Sequence, residues 1–217
     1  MRLFVIASVV LLSALNVQAG QMGFDAIGDI STSTFQCLKN AGYSYFIGRV
    51  YHSYGAVDTQ GIQNIKNAKA AGWSDVGGYL FPCLASNCGS GASQVQAVHD
   101  ALQQQGAQIN TLWLDIETYH WPSSQTSNQA FIQDMVNKAK SLNMDVGIYT
   151  SSPSWGPIVG SGYTAQSKLK LWWPRYDGHQ DFRDFQAFGG WSSALIHQYS
   201  GSVNGGCGVN MDQNYRN

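Results

Sequence analysis

The apolar positions of the chain follow two alternating patterns: short runs of β-branched and aromatic residues, and longer segments with apolar residues at helical spacing. The short runs predict strands at Gly23–Ile27, Tyr45–Val50, Val76–Phe81, Thr111–Glu117 and Val146–Tyr149. The longer segments predict helices at Thr34–Gly42, from Asp58 or Thr59 to Gly72, from Ser93 to Gly106 and from Ser127 to Leu142. Strands and helices therefore alternate as far as Thr150.

Such alternation favours parallel strands joined by right-handed crossovers, in an open doubly wound sheet or a closed barrel. Beyond Thr150 the pattern changes, because the links contain prolines and many glycines and have little helical periodicity. Three more strands are predicted there, at Leu169–Trp173, Leu195–Tyr199 and Val209–Asp212. We therefore predict an α/β fold, a single irregular, TIM-like (β/α) barrel whose helices are partly lost in the C-terminal half.

The segment Met1–Gly20 has the pattern of a secretory signal peptide. Arg2 is followed by an apolar run from Leu3 to Leu15, and Val17-Gln18-Ala19 provides a small-residue cleavage pattern. The apolar run is too short to span a bilayer comfortably. We therefore expect a signal peptide at residues 1–19, one domain at residues 20–217, and a protein that is secreted or delivered to lysosomes or phagosomes.

Charged side chains make up 12% of the chain, about half of the usual fraction of roughly 25%. The formal net charge is −1, and it becomes −2 when Arg2 is lost with the signal peptide. No general basic field therefore exists to hold nucleic acid or an anionic membrane. Plentiful Gly, Ser, Gln and Asn suit a neutral, hydroxyl-rich ligand, and we expect a monomer without nucleic-acid or membrane partners.

Four cysteines follow the predicted signal peptide, Cys37, Cys83, Cys88 and Cys207, and this context favours disulfides over metal ligation. Three pairings are possible. We favour Cys83–Cys88, which closes a tight loop, and this pairing leaves Cys37–Cys207 to join the early and late parts of the chain. Cys83 and Cys88 have no neighbouring histidine of the kind that a zinc finger requires, so no metal site is predicted.

The segment Thr111–Thr118, TLWLDIET, combines an apolar strand pattern with two carboxylates and contains the only glutamate of the chain. Successive side chains of a strand lie on opposite faces, so Trp113, Asp115 and Glu117 are expected to share one face. Residues two apart in a strand are roughly 6.6 Å apart, which lets two carboxyl groups reach one bond. Glycoside hydrolysis requires such a pair, and this spacing leaves both retaining and inverting chemistry open.

Two more acids fall where a parallel barrel places its active site, at the ends of the strands. Asp25 lies near the end of the first predicted strand, and Asp212 at the end of the last. Because barrel closure makes the first and last strands neighbours, we expect these two aspartates to lie together, close to Asp115 and Glu117. Like-charge repulsion would then raise the pKa of Glu117.

Six segments in order resemble the family 25 glycoside hydrolase lysozymes, which are secreted N-acetylmuramidases. They are GFDAI at 23–27, WLDIE at 113–117, GIYTS at 147–151, LWWPRYD at 171–177, HQYSG at 197–201 and VNMDQNY at 209–215. The resemblance covers nearly all of residues 20–217. It implies a barrel-shaped catalytic domain that cleaves the β-1,4 bond between N-acetylmuramic acid and N-acetylglucosamine in bacterial peptidoglycan, without a cofactor.

Carried over by position, the resemblance implies that Glu117 is the general acid and base and Asp115 its partner carboxylate. Asp25 and Asp212 match acids of the same pocket, and we place Asp25 closer to catalysis and Asp212 in substrate binding. The mechanism it implies is retaining, and it includes a substrate-assisted route in which the 2-acetamido group of the substrate is the nucleophile and Asp115 steadies it. The chain departs from the family pattern at Asp25-Ala26-Ile27, where many members have Asp-x-Ser, which affects subsites more than chemistry.

Aromatic residues at predicted strand ends are candidates for stacking against sugars. The candidates are Tyr79, Phe81, Tyr149 and Trp173. For Phe81 and Trp173 a place in the barrel core is an equal alternative, so the two tyrosines are favoured first.

Two other interpretations compete with the lysozyme hypothesis. A family 18 chitinase also ends a strand with Asp-x-Glu, but its fuller motif requires acids where this chain has Asn110 and Trp113. An inactive secreted glycan-binding protein would be expected to have damaged carboxylates, whereas both are intact.

Overall fold

The computed structural model describes residues 20–217, so the predicted signal peptide at 1–19 lies outside the described residues. The strands are β1 Gln21–Ala26, β2 Tyr43–His52, β3 Ala56–Val57, β4 Asp75–Leu80, β5 Leu112–Asp115, β6 Val146–Tyr149, β7 Lys170–Pro174, β8 Ile196–Asn204 and β9 Asn210–Arg216. The helices are α1 Thr32–Asn40, α2 Thr59–Ala70, α3 Gly91–Gln104, α4 Gln125–Ser141 and α5 Ser152–Val159.

Eight of these strands close into a barrel, which confirms the predicted fold class. The order around the barrel is β1, β9, β8, β7, β6, β5, β4, β2 and back to β1, while the two-residue β3 pairs only with the edge of β2. All the neighbouring pairs of the barrel are parallel except the two that involve β9. The barrel is therefore closed by one antiparallel strand, a feature that strand prediction alone did not give.

Helices cover the first part of the barrel, as predicted, and become sparse in the second. One helix follows each of β1, β3, β4, β5 and β6, whereas the segments 175–195 and 205–209 contain no helix. The short α5 was not predicted, because Pro153 and Pro157 obscured it. Proline is tolerated in the first turn of a helix, where its missing N–H costs no hydrogen bond.

Two predicted helix starts were wrong by one turn. Ser90 caps α3, and its Oγ accepts a hydrogen bond from the backbone N–H of Ser93, the predicted cap. Ser124 likewise caps α4 and accepts from the backbone N–H of Ser127. In both segments a serine lies at each candidate position, so composition could not distinguish the cap from the third helical residue.

The barrel separates two apolar layers. Outward-facing strand residues such as Leu112, Leu114 and Ile148 pack in the outer layer with the helices. Inward-facing residues form a smaller aromatic core, which contains Tyr45, Ile47, Trp113, Tyr149, Trp172 and Ile196. Gly147 makes room for it, because a Cβ there would lie 2.4 Å from the ring of Trp113. This inward-facing core, called the plug below, fills the middle of the barrel. A separate depression lies at each end.

Both expected disulfides are present. Cys37 in α1 is bonded to Cys207, next to β9, and this bond spans 170 residues of sequence. Cys83 and Cys88 are bonded within the loop after β4. The first bond ties the outer layer to the strand that closes the barrel, and the second stiffens a loop at the mouth.

Candidate active site

A solvent-open cavity of about 280 Å³ lies at the end of the barrel where the parallel strands have their carboxyl ends. Each of the eight barrel strands contributes at least one side chain to its lining, and these include Asp25, Arg49, Tyr79, Asp115, Tyr149, Trp172, Gln198 and Asp212. Glu117 joins them from the loop after β5. The four acids singled out in the sequence therefore line one cavity.

A larger depression of about 520 Å³ lies at the opposite end of the barrel. Its charged side chains are paired with one another, Lys170 with Asp145 and Arg216 with Asp75. The cavity at the carboxyl ends of the strands, called the mouth cavity below, is the better candidate for chemistry. Within residues 20–217 none of its four acids has such a cationic partner, and barrel enzymes place their active sites at this end.

The two acids of β5 and its loop are held by backbone and side-chain contacts. Trp113 and Asp115 point into the barrel, as predicted, and the strand ends at Asp115. The loop that carries Glu117 is tied to the next strand, because Thr150 Oγ1 donates to the carbonyl of Ile116 at 2.6 Å. Glu117 is therefore not in a strand, yet its side chain still lines the same cavity as Asp115.

Asp25 and Asp212 are paired in register across β1 and β9. This confirms that they lie together, with one correction: Asp212 is near the start of its strand, not at its end. Because β9 runs antiparallel, its amino end lies beside the carboxyl ends of the other strands. The backbone N–H of Ser202 donates to Asp212 Oδ1 at 2.6 Å and fixes this carboxylate.

Two buried amides organise the aspartates. Gln198 Nε2 donates to Asp25 Oδ1 at 2.8 Å, and Asn214 Nδ2 donates to the same oxygen at 2.7 Å. Trp172 Nε1 in turn donates to Asn214 Oδ1 at 2.7 Å. On its other side, Gln198 Oε1 accepts from the hydroxyls of two tyrosines, Tyr149 at 2.8 Å and Tyr176 at 2.9 Å. Gln198 therefore links the acids of the cavity to its aromatic wall.

The environment raises the pKa of all four carboxyl groups. Burial, together with the charge of Asp212, raises the pKa of Asp25 to about 8, although hydrogen bonds from Asn214 and Gln198 oppose the shift. Burial and the charges of Glu117 and Asp25 raise the pKa of Asp115 well above its usual value. Burial and Asp212 raise the pKa of Glu117, and burial raises that of Asp212. The cavity therefore retains protons that isolated carboxyl groups would release.

Glu117 and Asp115 differ in their access to a ligand. Asp115 is only 6% exposed, and its buried Oδ1 receives no hydrogen bond from residues 20–217. Glu117 is only partly buried. The pair therefore offers one deep acceptor and one carboxyl group close to solvent, which together can donate a proton and stabilise a neighbouring positive charge.

Among the predicted sugar-stacking residues, Tyr79 and Tyr149 line the cavity, and so does Phe81. The prediction for Trp173 was wrong. Its ring faces away from the barrel interior, stacks on His197 and packs against Phe185 in the outer layer. Its neighbour Trp172 lines the cavity instead, because successive residues of a strand face opposite sides.

Several residues of the site were missed in the sequence, namely Arg49, Trp172, Tyr176, Gln198 and Asn214. Gln198 had a signal, because it has the same strand parity as Ile196 and is therefore a polar residue on the inward face of an apolar strand. Tyr176 lies beyond β7 in an irregular segment, and its signal was its place in the segment 171–177 that resembles the family.

Within residues 20–217, no group of three or more His, Cys, Asp or Glu side chains is arranged to hold a metal ion. Over the same range, no helix is long and apolar enough to span a membrane.

The chain matches the family described as lysozyme-like protein 1 over residues 16–199. It is 53% identical over 206 residues to lysozyme-like protein 5 of Caenorhabditis elegans, a match that covers 95% of this chain and 96% of that protein. It is 38% identical over 201 residues to the probable family 25 lysozyme 2 of Dictyostelium discoideum, with 93% of each chain covered.

Solved structures share the fold. A muramidase from Acremonium alcalophilum superposes with a TM-score of 0.71 at 19% identity, covering 91% of this chain and 93% of that one. A family 25 lysozyme from Aspergillus fumigatus superposes with a TM-score of 0.70 at 21% identity, covering 91% of this chain and 94% of the other.

Proposed function

This chain belongs to the family 25 glycoside hydrolase lysozymes, and on that basis we propose that it hydrolyses the β-1,4 bond between N-acetylmuramic acid and N-acetylglucosamine in bacterial peptidoglycan. One observation carries the assignment of residues: Glu117 and Asp115 line the same solvent-open cavity, and the pKa of each is raised there. Acid-assisted glycoside cleavage needs one carboxyl group that holds a proton and a second that is ionised, and a pair that shares one proton supplies both.

In this proposal Glu117 is the general acid. Burial and the charge of Asp212 raise its pKa, which favours its protonated form, and its partial exposure gives it access to the glycosidic oxygen of a bound glycan. It donates its proton to the leaving oxygen as the bond to the anomeric carbon breaks. The resulting carboxylate then accepts a proton from the water molecule that completes the hydrolysis.

Asp115 is the partner that stabilises positive charge. Because the charge of Glu117 raises the pKa of Asp115, the pair retains one proton in a pH range where isolated carboxyl groups would both be ionised. Positive charge that develops at the substrate favours an ionised Asp115. The Asp115 carboxylate, which lines the cavity, can also accept the N–H of the 2-acetamido group while the acetamido oxygen attacks the anomeric carbon.

Asp25 lines the same cavity and acts on the pair through its charge. Its charge is one of the influences that raise the pKa of Asp115, while Asn214 and Gln198 hold its own carboxylate in place. Asp212, with Tyr79 and Tyr149, forms the wall that a sugar would contact.

The chitinase alternative loses support from the contacts of the two positions that would need acids. Asn110 Oδ1 accepts a hydrogen bond from the backbone N–H of Val76 at 2.9 Å and so joins two parts of the fold. Trp113 lies in the plug of the barrel, with its ring centroid 5.8 Å from that of Trp172. Both residues have structural roles away from the mouth cavity.

We further propose that the enzyme acts outside the cytoplasm. Two disulfide bonds support an oxidising compartment, in keeping with the signal peptide expected from the sequence.

The deciding experiment is mass spectrometry of peptidoglycan fragments after digestion and borohydride reduction. We expect fragments that end in reduced N-acetylmuramic acid, because cleavage on its anomeric side leaves that sugar at the reducing end. Glu117→Gln should lower the rate by at least about 10²-fold, the usual contribution of a general acid. The matched control is Asp100→Asn, which changes an acid on the exposed side of α3.

Fragments that end in reduced N-acetylglucosamine would overturn the assigned bond. Cleavage of chitin oligomers but not of peptidoglycan would favour the chitinase interpretation. Glycan binding without any cleavage would favour the inactive binding protein.

A further inference from the structure

The acidic cavity has one cationic side chain in its wall. Among the described residues that line it, four are acids and only Arg49 is basic. Arg49 lies on β2 and has the same inward parity as Tyr45 and Ile47, and in the sheet register it is opposite Tyr79. Its guanidinium therefore belongs to the same cavity as the carboxyl pair but comes from a different strand.

A buried aspartate holds this guanidinium by one edge. Arg49 Nε donates to Asp58 Oδ2 at 2.7 Å, and the side chain of Asp58 is only 4% exposed. Asp58 Oδ1 accepts the backbone N–H of Gly61 at 2.9 Å, so the same carboxylate caps α2. Asp58 is therefore fixed by the helix, and it fixes the orientation of Arg49 in turn.

The other edge of the guanidinium remains free. Within residues 20–217 neither Nη atom of Arg49 makes a hydrogen bond, and 21% of the side chain is exposed. A guanidinium stays charged at all relevant pH values, and its N–H groups match the oxygens of a carboxylate or a carbonyl. Arg49 thus presents two oriented donors to whatever occupies the cavity.

The two sugars of peptidoglycan differ in one group that such donors can recognise. N-Acetylmuramic acid is N-acetylglucosamine with a lactyl ether at O3, whose carboxyl group is either free or linked through an amide to a peptide. A cavity with four acids disfavours a free lactyl carboxylate, and hydrogen bonds from the Nη groups of Arg49 would offset that cost, although Asp58 already balances the charge of the guanidinium. The oxygens of the lactyl group are acceptors that plain N-acetylglucosamine lacks.

We propose that Arg49, oriented by Asp58, binds the lactyl group of N-acetylmuramic acid and makes the cavity select this sugar over N-acetylglucosamine. This inference rests on the proposed function, because it names the part of the same substrate that sets specificity. Arg49 acts as a specificity-determining residue and has no part in proton transfer.

The test measures binding, so that it does not depend on turnover. In the full chain carrying Glu117→Gln, dissociation constants are determined for a tetrasaccharide of alternating N-acetylglucosamine and N-acetylmuramic acid and for chitotetraose. Adding Arg49→Gln should weaken binding of the first ligand by at least about tenfold and leave chitotetraose within about twofold, as expected for a lost charged hydrogen bond. Arg49→Lys should give an intermediate loss, because it keeps the charge but not the planar fork.

The matched control is Arg183→Gln, since Arg183 also pairs with a neighbouring aspartate, Asp181, but lies outside the cavity. If Arg49→Gln fails to fold because Asp58 is left buried and unpaired, the double variant Arg49→Gln with Asp58→Asn removes both charges together. Equal weakening of both ligands, or no weakening of the first, would overturn the proposal.

Failure of the proposed function gives a different result. In that case the wild-type enzyme releases no fragments ending in reduced N-acetylmuramic acid, whatever residue occupies position 49. Correct fragments together with unchanged ligand selectivity in Arg49→Gln would contradict only the role of Arg49.

Discussion

Asp25 and Asp212 are directly opposite each other in the β1–β9 ladder, although they come from opposite ends of the folded chain. Burial raises the pKa of both carboxyl groups, and the charge of Asp212 raises that of Asp25 further. Backbone pairing between β1 and β9 holds these two residues side by side, and side-chain rotation does not change the distance between their backbones. The raised pKa values of these two aspartates therefore depend on the closure of the barrel by β9.

Gln198 is the first position at which this arrangement can be tested. Gln198→Glu replaces the amide that donates to Asp25 with a group that, when ionised, repels it. We expect kcat/KM at neutral pH to fall more than about tenfold and to recover partly at acidic pH, where the new carboxylic acid is protonated and can donate again. Profiles of kcat/KM against pH measure this.

Gln198→Met is the comparison, because it removes the hydrogen bonds to Asp25, Tyr149 and Tyr176 without adding charge. It should lower the free energy of unfolding by about 2–4 kcal/mol and show no recovery in acid. Identical pH profiles for wild type and Gln198→Glu would contradict a role for this amide in holding Asp25.

Stability should depend on pH in the direction opposite to that of most proteins with paired carboxylates. Because the pKa of Asp25 is raised from 3.8 to about 8 in the folded state, the folded protein binds more protons than the unfolded chain between these values. The stability that this group contributes is therefore present at low pH and is lost as pH rises from about 4 to about 8. Thermal unfolding across this range measures the slope.

Asp25→Asn is the variant that checks the source of this slope. Its amide oxygen can still accept from Gln198 and Asn214, which both donate to one oxygen of Asp25. We expect the variant to be more stable than wild type at pH 8 and to show a flatter pH dependence. An unchanged slope would show that Asp25 does not hold the proton.

The two disulfides should differ in their contribution to stability. Reduction of Cys37–Cys207 frees a loop of 170 residues, whereas Cys83–Cys88 closes a loop of only 5. Loop-closure entropy predicts losses of about 5 and about 2 kcal/mol, respectively. Denaturant unfolding of the paired serine variants, Cys37→Ser with Cys207→Ser and Cys83→Ser with Cys88→Ser, compares them. A larger loss from the short loop would contradict this ranking.

Gly61 should be intolerant of any side chain. A Cβ at this position would lie 1.6 Å from the carbonyl oxygen of Arg49, because α2 packs directly on the backbone of β2. We expect Gly61→Ala to cost more than about 3 kcal/mol, as a severe case of overpacking. Gly28→Ala is the matched control, since a Cβ there would meet no atom within 4 Å, and it should change stability by less than about 0.5 kcal/mol. Urea unfolding measures the free energy of unfolding of both variants, and equal losses would contradict the prediction.

Most of the barrel could be predicted because its local patterns agree with its tertiary structure. The predicted strand Val146–Tyr149 matches β6 at both ends, and the alternation of Trp113 and Asp115 with Leu112 and Leu114 assigns the inner and outer faces. Antiparallel pairing of β9 was not predicted, because strand direction depends on the path of the connecting chain and leaves no periodic signal in the strand itself.

The acids of the candidate site were easier to predict than the residues that hold them. Carboxylates at strand ends are conspicuous in a chain with so few charges, and closure of the barrel brought Asp25 and Asp212 together as expected. Trp173 was misplaced because the inward-facing position of β7 is its direct neighbour Trp172, and two adjacent tryptophans give no sign of which one faces inward. Asn214 was missed because its importance arises only from contacts with Asp25 and Trp172.

The antiparallel strand β9 also has a consequence for synthesis. It is the last strand of the barrel to leave the ribosome, and it carries Asp212, Asn214 and the contacts that close the cylinder. Cys207 is synthesised just before β9, so the Cys37–Cys207 disulfide can form only late in translation. A nascent chain therefore has neither a complete set of acids nor a sealed barrel, and the capacity to attack a cell wall is acquired only when translation of this segment is finished.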